Sequence, residues 1–439
     1  MHKVLGALAW RSLSEADKEA WGLSPQIPES APDFLRSFKT NSVEEKMAQY
    51  SFFLDNMGYR VEDFRETPQF MLPGEVPVPH GAITSNLTAA ASDDQLPDVW
   101  GWRHVLRTFV PRLLEQAQKG NMEEAALFAG LLSHFLQDGS CIGHVLPARL
   151  AYDLSPNDPA SGHVDFHAPF DDCSPPLETV RPLLLGTTVP EIVFRLSQLG
   201  EKNYRLILNR TIPLLEACRK GDKAELDRLC QPMLQSAILQ VASLLHTVVV
   251  VAKGNVPEDE AAAIGDVDLT EVEGYFIHPG SDYRVVIPRN YTIDRGKYVP
   301  LRTDLGNGPV DINPGLGMTS FHSIRYLLEP GAFARVEGQI GLSSDYLRDQ
   351  EEEMEVEFFV STAAEWNRTI TPDLEYGPEM PEVYSHWLKP GRPAEPFSVE
   401  LGEAQTLLFG VRPNAYRAEN GWRCWYPHVV LSAPRLVKA

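Results

Sequence analysis

The first 250 residues carry apolar side chains at the spacing of an amphipathic helix. Positions i, i+3, i+4 and i+7 are apolar through long stretches such as HKVLGALAWRSLSEADKEAW and NMEEAALFAGLLSHFLQDG. Gly120 and Gly221 stand where helix C-caps belong, and Asn121 precedes a Glu-rich first turn as an N-cap does. Proline-rich connectors separate the helical stretches, and no strand-like alternation of any length interrupts them. The pattern therefore predicts an all-α helical bundle over residues 1–254.

The period changes beyond residue 275. Short segments rich in β-branched and aromatic residues, including YRVVIP, MEVEFFVST and QTLLFGVRP, are separated by Gly, Pro and Asn turns. Several short strands at this spacing predict an antiparallel β-sandwich over residues 275–439. Between the two patterns lies an acidic stretch, NVPEDEAAAIGDVDLTEVEG, which is typical of a linker over residues 255–274.

Composition and charge narrow the function classes. The 439 residues have a net charge of −21, which argues against a broad basic surface for duplex nucleic acid or an anionic membrane. The five cysteines are scattered without a CxxC pair, so they signal neither a disulfide framework nor a thiolate zinc site. The short apolar run at the N-terminus is cut off by Arg11, and no stretch approaches 18 uninterrupted apolar residues. We expect a soluble protein without a transmembrane segment, and leave open whether it is cytoplasmic or exported.

The apolar stretch LLSHFLQDGSCIGHV, residues 131–145, contains three chemically active side chains. His134 and Asp138 are four residues apart and therefore share one face of a helix, and His144 follows six residues later. Burying such groups costs several kcal/mol unless each has a partner. Imidazole and carboxylate are suitable zinc ligands, although a single HxxxD pair also occurs by chance in core helices.

Other candidate ligands lie near predicted helix ends and loops of the same half. Asp55 stands in the aromatic run YSFFLDNMGY, His80 in the loop PVPHGA, His163 and His167 in SGHVDFHAP, and His2 at the start of the chain. A carboxylate buried among aromatic side chains would be costly without a partner. If all these side chains converge on bound cations, the cations compensate the cost of burying them.

The run GNMEEAALFAGLLSHFLQDGSCIGHV resembles the signature of the zinc-dependent phospholipase C family and the related fungal-type single-strand nucleases. These are all-α enzymes with a trinuclear zinc site, and the resemblance covers about residues 1–250. The resemblance implies a first zinc ion held by Asp55, His80, His134 and Asp138. It implies a second ion held by His144 and His163, with Asp138 bridging to a third.

The chain departs from this family pattern in two places. His167 stands where the family has Glu or Asp, and Asp165 is the alternative ligand there. The family also uses a processed N-terminal Trp, whereas this chain begins with Met1 and His2, so His2 is the expected ligand and the Met1 amine an alternative. Two or three zinc ions are therefore expected.

The expected chemistry follows from such a cluster. Clustered zinc ions lower the pKa of a bound water towards 7 and neutralise the oxygens around phosphorus. The sequence thus predicts a zinc-dependent hydrolase of phosphodiesters, similar to phospholipase C, with Asp55 and Asp138 as candidate catalytic residues. Two alternatives stay open: a single-strand nuclease, for which an acidic chain without a basic and aromatic groove is poorly suited, and a non-catalytic, zinc-containing glycan-binding protein.

The β half has its own resemblance, which covers about residues 275–435. The segment VDINPGLGMTSFHSIRYLLEPGAFARVEGQIGL is similar to the NPCBM type of carbohydrate-binding module, a galactose-binding-like jelly roll. The resemblance implies a targeting domain with a glycan ligand, although Thr319 occupies the position of a family His. Trp422 and Trp425 in NGWRCWYPHVVL are candidates for stacking on a sugar ring, with core packing as the alternative.

Overall fold

The computed structural model describes most of the chain. The described residues are 1–29, 31, 33–52, 70–72, 76–78, 100–145, 166–176, 178–254, 256–277, 284–285, 287–294, 297–319, 322–344, 355–364, 380–413 and 428–439. They divide into two compact units, Met1–Ala263 and Ile264–Ala439. The first is helical and the second is built of strands.

The described helices of the first unit enclose a shared hydrophobic core. These are α1 (His2–Arg11), α2 (Glu15–Trp21), α3 (Asp33–Arg36), α4 (Val43–Phe52), α5 (Trp100–Gln118), α6 (Met122–Asp138), α7 (Ile142–Val145), α8 (Ala168–Asp172), α9 (Val189–Leu208), α10 (Thr211–Lys220), α11 (Lys223–Lys253) and α12 (Glu258–Ala263). Local signals determine several ends. Thr188 and Glu191 form a capping box at the start of α9, and Gly221 ends α10 in the left-handed conformation, as its position in the sequence predicts.

Helix α11 lies at the centre of this unit. It packs against α1, α5, α6, α9 and α10. It is the one helix among the described residues that is long and apolar enough to span a membrane, with a mean hydropathy of 1.8 over its most apolar window. Because 78% of that window is buried inside the protein, its apolar character is that of a core helix.

A small hairpin departs from the helical pattern of this half. Strand β1 (Phe70–Leu72) pairs antiparallel with β2 (Val76–Val78). Each strand has three residues, which is too short for an alternating pattern to be seen in the sequence.

Among the described residues, the second unit contains two large antiparallel sheets and two separate hairpins. Its strands are β3 (Val267–Asp268), β4 (Tyr275–Ile277), β5 (Arg284–Val285), β6 (Tyr291–Asp294), β7 (Lys297–Pro300), β8 (Arg302–Asp304), β9 (Pro309–Asp311), β10 (Gly315–Thr319), β11 (Ser323–Leu327), β12 (Phe333–Leu342), β13 (Val356–Ala363), β14 (Glu382–Leu388), β15 (Glu395–Glu400), β16 (Thr406–Pro413) and β17 (His428–Lys438). One sheet has the order β10-β17-β12-β15 with β3 added on β17, and the other β14-β13-β16-β11-β4-β5. Hairpins β6-β7 and β8-β9 complete the unit.

Aromatic side chains join the two sheets. Phe397 of one sheet lies 5.5 Å from Phe358 and 6.0 Å from Phe409 of the other, measured between ring centroids. The sheets therefore pack face to face as a sandwich. The predicted fold class, an all-α helical unit followed by an all-β sandwich, is confirmed.

The stretch predicted as a linker, residues 255–274, contains a helix and a strand within its described residues, 256–274. Helix α12 occupies its first part, and β3 pairs with β17 through Val267 opposite Leu436. Leu269 and Val272 are buried in the β unit, while the acidic Asp266 and Glu271 are exposed. Acidic side chains such as Asp266 and Glu271 therefore lie on the solvent face of a segment that also has secondary structure.

Candidate functional site

The predicted ligands among the described residues converge at one end of α6. His134 and Asp138 share a face of this helix, and His2 is the first residue of α1. Asp138 is central, because its carboxylate oxygens lie 3.3 Å from His2 Nε2, 3.5 Å from His134 Nε2 and 3.6 Å from His144 Nε2. The structure thus brings His2, His134, Asp138 and His144 together in space, and their role as metal ligands stays a prediction.

The Asp138 carboxylate is buried and lacks hydrogen bonds of good geometry. Its side chain is 1% exposed, and neither oxygen has a hydrogen-bond partner among the residues that the structure describes. Burial alone would raise the pKa of Asp138, but His134, His144 and His2 outweigh burial and hold it well below its usual range. An ionised buried carboxylate with unsatisfied oxygens, facing imidazole nitrogens, is the arrangement that a bound cation satisfies.

Outer contacts orient the imidazole of His134. Its Nδ1 lies 3.0 Å from the backbone carbonyl of Ser51, at the end of α4. Because a carbonyl only accepts, Nδ1 carries the proton and donates it, which leaves the Nε2 lone pair directed at the Asp138 side of the ring. This is the usual outer support of a metal-ligating histidine.

His2 is held by stacking and by the amide of Gln137. Its ring stacks on that of His134 with centroids 4.3 Å apart, and its Nδ1 lies 2.8 Å from the Gln137 side-chain amide. With the amide oxygen towards His2, Nδ1 carries the proton and donates it, which places the ring's lone pair on Nε2, the atom that faces Asp138. The reversed amide donates to Nδ1, and also bonds the His2 carbonyl and the Gly6 N–H, each at 3.3 Å. Rotation of Gln137 therefore selects the tautomer of His2.

A second group of ligand atoms lies beside the first. Cys141, His144 and His167 bring their ligand atoms within 4.8 Å of one another, as do His2, His134 and Asp138 in the first group. The rings of His144 and His167 meet edge to face at 4.8 Å, and Cys141 Sγ lies 3.5 Å from His167 Nδ1. Burial raises the pKa of the Cys141 thiol. Each of these two adjacent groups, His2 with His134 and Asp138, and Cys141 with His144 and His167, has ligand atoms close enough together to hold a metal ion.

Sequence reasoning missed Cys141. The CxxC spacing does not detect this residue, because it indicates only sites made of thiolates alone. The available signal was the position of Cys141 three residues before His144, one helical turn away.

Several predicted residues lie outside the described part of the chain. They are Asp55, His80, His163, Asp165, Trp422 and Trp425. Their roles remain predictions. The Met1 amine, the predicted alternative to His2 as a ligand, forms an ion pair with Asp171 instead. Its nitrogen lies 3.7 Å from a carboxylate oxygen of that residue.

The β unit has a surface pocket of about 230 Å³ beside β14. Trp387, which is 41% exposed, lines this pocket together with Lys389 and Arg392. His386 and Glu395 lie on its wall, with Nε2 and Oε2 3.3 Å apart. An exposed indole beside hydrogen-bonding side chains makes this the second candidate site.

No protein-family model matches the chain, and no curated protein matches it. Solved structures similar to it include the alpha toxin from Clostridium absonum, at 12% identity and a TM-score of 0.30, covering 100% of this chain and 94% of the toxin. They also include CBM51 from Clostridium perfringens GH95 in complex with methyl-galactose, at 16% identity and a TM-score of 0.29, covering 39% of this chain and 99% of the module. A third is CBM51-2 with INT domains from Clostridium perfringens ZmpB in complex with GlcNAc, at 12% identity and a TM-score of 0.29, covering 39% of this chain. The matched part spans about a third (31%) of that ZmpB structure.

Proposed function

We propose that the helical unit is a zinc-dependent phosphodiester hydrolase similar to phospholipase C. The observation that carries the proposal is the Asp138 carboxylate, buried and without hydrogen bonds from the described residues, with three imidazole Nε2 atoms within 3.6 Å. Nitrogen and carboxylate oxygen are ligands that zinc favours. No nucleophilic side chain is needed for such a reaction.

The residues divide into two ligand groups. His2, His134 and Asp138 would hold one ion, and His144 with His167 would hold another, with Asp138 facing both groups through its contacts with His134 and His144. When bound, zinc ions supply Lewis acidity for the phosphoryl oxygens and activate a water for attack. The Ser51 carbonyl keeps His134 in its ligating tautomer.

Exposure indicates the side from which a substrate approaches. The His144 side chain is 21% exposed, whereas Asp138 is 1% exposed. His167 is exposed as well. A phosphodiester therefore approaches past His144 and His167, and the first ligand group lies behind them. The net charge of −21 favours a small or lipid phosphodiester over a long single-stranded nucleic acid.

Metal content and turnover test this proposal together. The purified full chain is expected to contain two or three zinc ions and to hydrolyse bis-p-nitrophenyl phosphate, with activity lost on chelation and restored by zinc. Asp138→Asn and His144→Ala should each lower turnover by more than about 100-fold, since loss of even an outer partner of a metal ligand costs 10–100-fold. Glu124→Gln, a half-buried carboxylate on the same helix, serves as the control.

Three results would count against the hydrolase proposed at this site. Fewer than two zinc ions per chain would remove its metal basis. Two or three ions without turnover would favour the non-catalytic alternative. Full activity in Asp138→Asn would mean that the reacting site lies elsewhere.

We also propose that the β unit binds glycans at the pocket beside Trp387. The supporting observation is the exposed indole next to Lys389, Arg392 and Glu395. The apolar face of a pyranose can stack on an indole, while charged side chains at its rim bond the hydroxyl groups.

Binding of the full chain to immobilised galactose and N-acetylglucosamine tests the glycan site. Trp387→Ala should abolish retention, and Val383→Ala, at an exposed apolar position on the same strand, should not. Trp422→Ala and Trp425→Ala are measured in parallel. If Trp387→Ala still binds and one of these two variants does not, the glycan site lies at that tryptophan and not at Trp387.

A further inference from the structure

We infer that Cys141 is a metal ligand, so that the second group is a mixed cysteine and histidine site completed by His144 and His167. This inference rests on the proposed metal binding, but not on the proposed hydrolysis. It adds a sulfur ligand that neither the spacing of the histidines nor the family resemblance contains.

The distances fit a tetrahedral ion. Zinc bonds of about 2.3 Å to sulfur and about 2.0–2.1 Å to nitrogen place two tetrahedral ligands about 3.3–3.6 Å apart. Cys141 Sγ lies 3.5 Å from His167 Nδ1, and all three ligand atoms lie within 4.8 Å of one another. Small side-chain movements would therefore bring all three into one coordination sphere.

The backbone between Asp138 and His144 is folded to present both side chains. The Cys141 N–H donates to the Asp138 carbonyl at 2.9 Å, and the His144 N–H donates to the Cys141 carbonyl at 3.1 Å. Cys141 and His144 are thus one turn apart on the same side. A Cβ on Gly143 would lie 2.7 Å from two atoms of the His167 ring, so only glycine lets this ring approach the turn so closely.

An S–H···N hydrogen bond alone does not account for the whole arrangement. His144, which shares this group with the thiol, has its Nε2 3.6 Å from an oxygen of Asp138, and the buried oxygens of Asp138 have no hydrogen bond from the described residues. The three side chains and Asp138 therefore form one continuous cluster that runs from the buried Asp138 to the exposed His167.

Charge supplies a further reason. Two neutral imidazoles bring no negative charge to a divalent ion, whereas a thiolate brings one. On binding, the S–H bond breaks, the sulfur retains the electron pair as a ligand, and the proton passes to solvent on the exposed His167 side. No oxidant or reductant is involved.

Cobalt substitution tests the inference directly. Metal-free full chain is titrated with Co²⁺, and a thiolate ligand produces a near-ultraviolet charge-transfer band that nitrogen and oxygen ligands do not. The wild type should show this band. Cys141→Ser and Cys141→Ala should lose it while retaining the visible cobalt absorption of the His2, His134 and Asp138 group. Cys218→Ser and Cys230→Ser are the matched controls and should keep the band.

Proton release provides a readout that is independent of the spectrum. Zinc binding to the wild type should release one proton more than binding to Cys141→Ala at the same pH. Bound cobalt without the band in the wild type, or a band that persists in both Cys141 variants, would overturn the inference. A band without phosphodiester turnover would instead leave Cys141 as a ligand and refute the hydrolase.

Discussion

His246 bridges two carboxylates inside the helical unit. Its Nδ1 lies 3.0 Å from Asp17 Oδ2 and its Nε2 lies 2.8 Å from Glu260 Oε2. Burial lowers the pKa of His246, but the two carboxylates outweigh burial and raise it overall. Burial raises the pKa of Asp17, and the hydrogen bonds from His246 and Ser14 outweigh that effect and lower it. The charged forms therefore stabilise each other in the folded state.

This bridge should make stability depend on pH in a defined window. A raised histidine pKa stabilises the folded state fully below the unfolded value of about 6.5, and the benefit is lost as pH rises through the folded pKa. A lowered Asp17 pKa stabilises above about 3.9, and that benefit is lost as pH falls through its folded value. His246→Gln should therefore cost most near pH ~5, by about 1–3 kcal/mol.

Urea unfolding of the wild type and His246→Gln from pH 4 to 9 measures the effect. The difference in unfolding free energy between the two proteins gives the contribution of His246 alone, because all other titrating groups are common to both. A difference that is constant across this range would contradict the charged bridge.

Single residues also show how far sequence predicts the site. His134, Asp138 and His144 are found from spacing, because a helix and the turn that follows it fix their relation locally. The Ser51 carbonyl and the Gln137 amide could not be found in this way. Ser51 lies 83 residues from His134, and Gln137 lies 135 residues from His2, so only tertiary packing brings these partners together.

At the scale of elements, the close approach of α4 and α6 supports the site. A Cβ on Gly130 would clash with Tyr50 Cβ and would lie 2.7 Å from the Tyr50 carbonyl oxygen. The next residue along α4, Ser51, supplies the carbonyl that orients His134. The distance between α4 and α6 therefore determines whether the hydrogen bond from His134 to the Ser51 carbonyl can form.

Gly130→Ala tests this coupling. The added methyl group should push α4 away from α6, lower the free energy of unfolding by about 1–3 kcal/mol, and weaken zinc binding by about 10–100-fold through loss of the Ser51 contact. Urea unfolding of the metal-free protein and competition with a zinc chelator measure the two effects. Glu124→Ala on the same helix should change neither. Unchanged zinc affinity in a destabilised Gly130→Ala would show that the helix contact is structural only.

At the scale of the whole molecule, the change of period predicts the two kinds of fold but not the segment between them. Helical spacing is local, so the sequence alone indicates each long helix. The pairing of β3 with β17 joins Asp268 to Arg435 across more than a third of the chain. The many acidic residues in 255–274 indicate only that this segment has side chains in contact with solvent. An acidic segment with secondary structure and an acidic linker therefore have similar sequences.

The boundary of the β unit provides the last prediction. Residues 264–274 contribute the buried Leu269 and Val272, whose carbonyls accept hydrogen bonds from Tyr326 Oη at 3.3 Å and Arg289 Nη2 at 2.9 Å. A fragment of residues 264–439 should therefore unfold in one cooperative transition. A fragment of residues 275–439, cut where the acidic stretch ends, loses both side chains, β3 and these acceptors. It should be less stable by at least the ~2–5 kcal/mol that truncating one buried leucine costs.

Urea unfolding of the two fragments, followed by tryptophan fluorescence, measures this difference. Leu269→Ala in the longer fragment tests the same packing with the chain ends unchanged, and it should account for a large share of the loss. Equal unfolding midpoints for the two fragments would mean that residues 264–274 connect the units without stabilising the sandwich. In that case the hydrogen bonds from Tyr326 and Arg289 would contribute little, because water could replace their partners at the edge of the core.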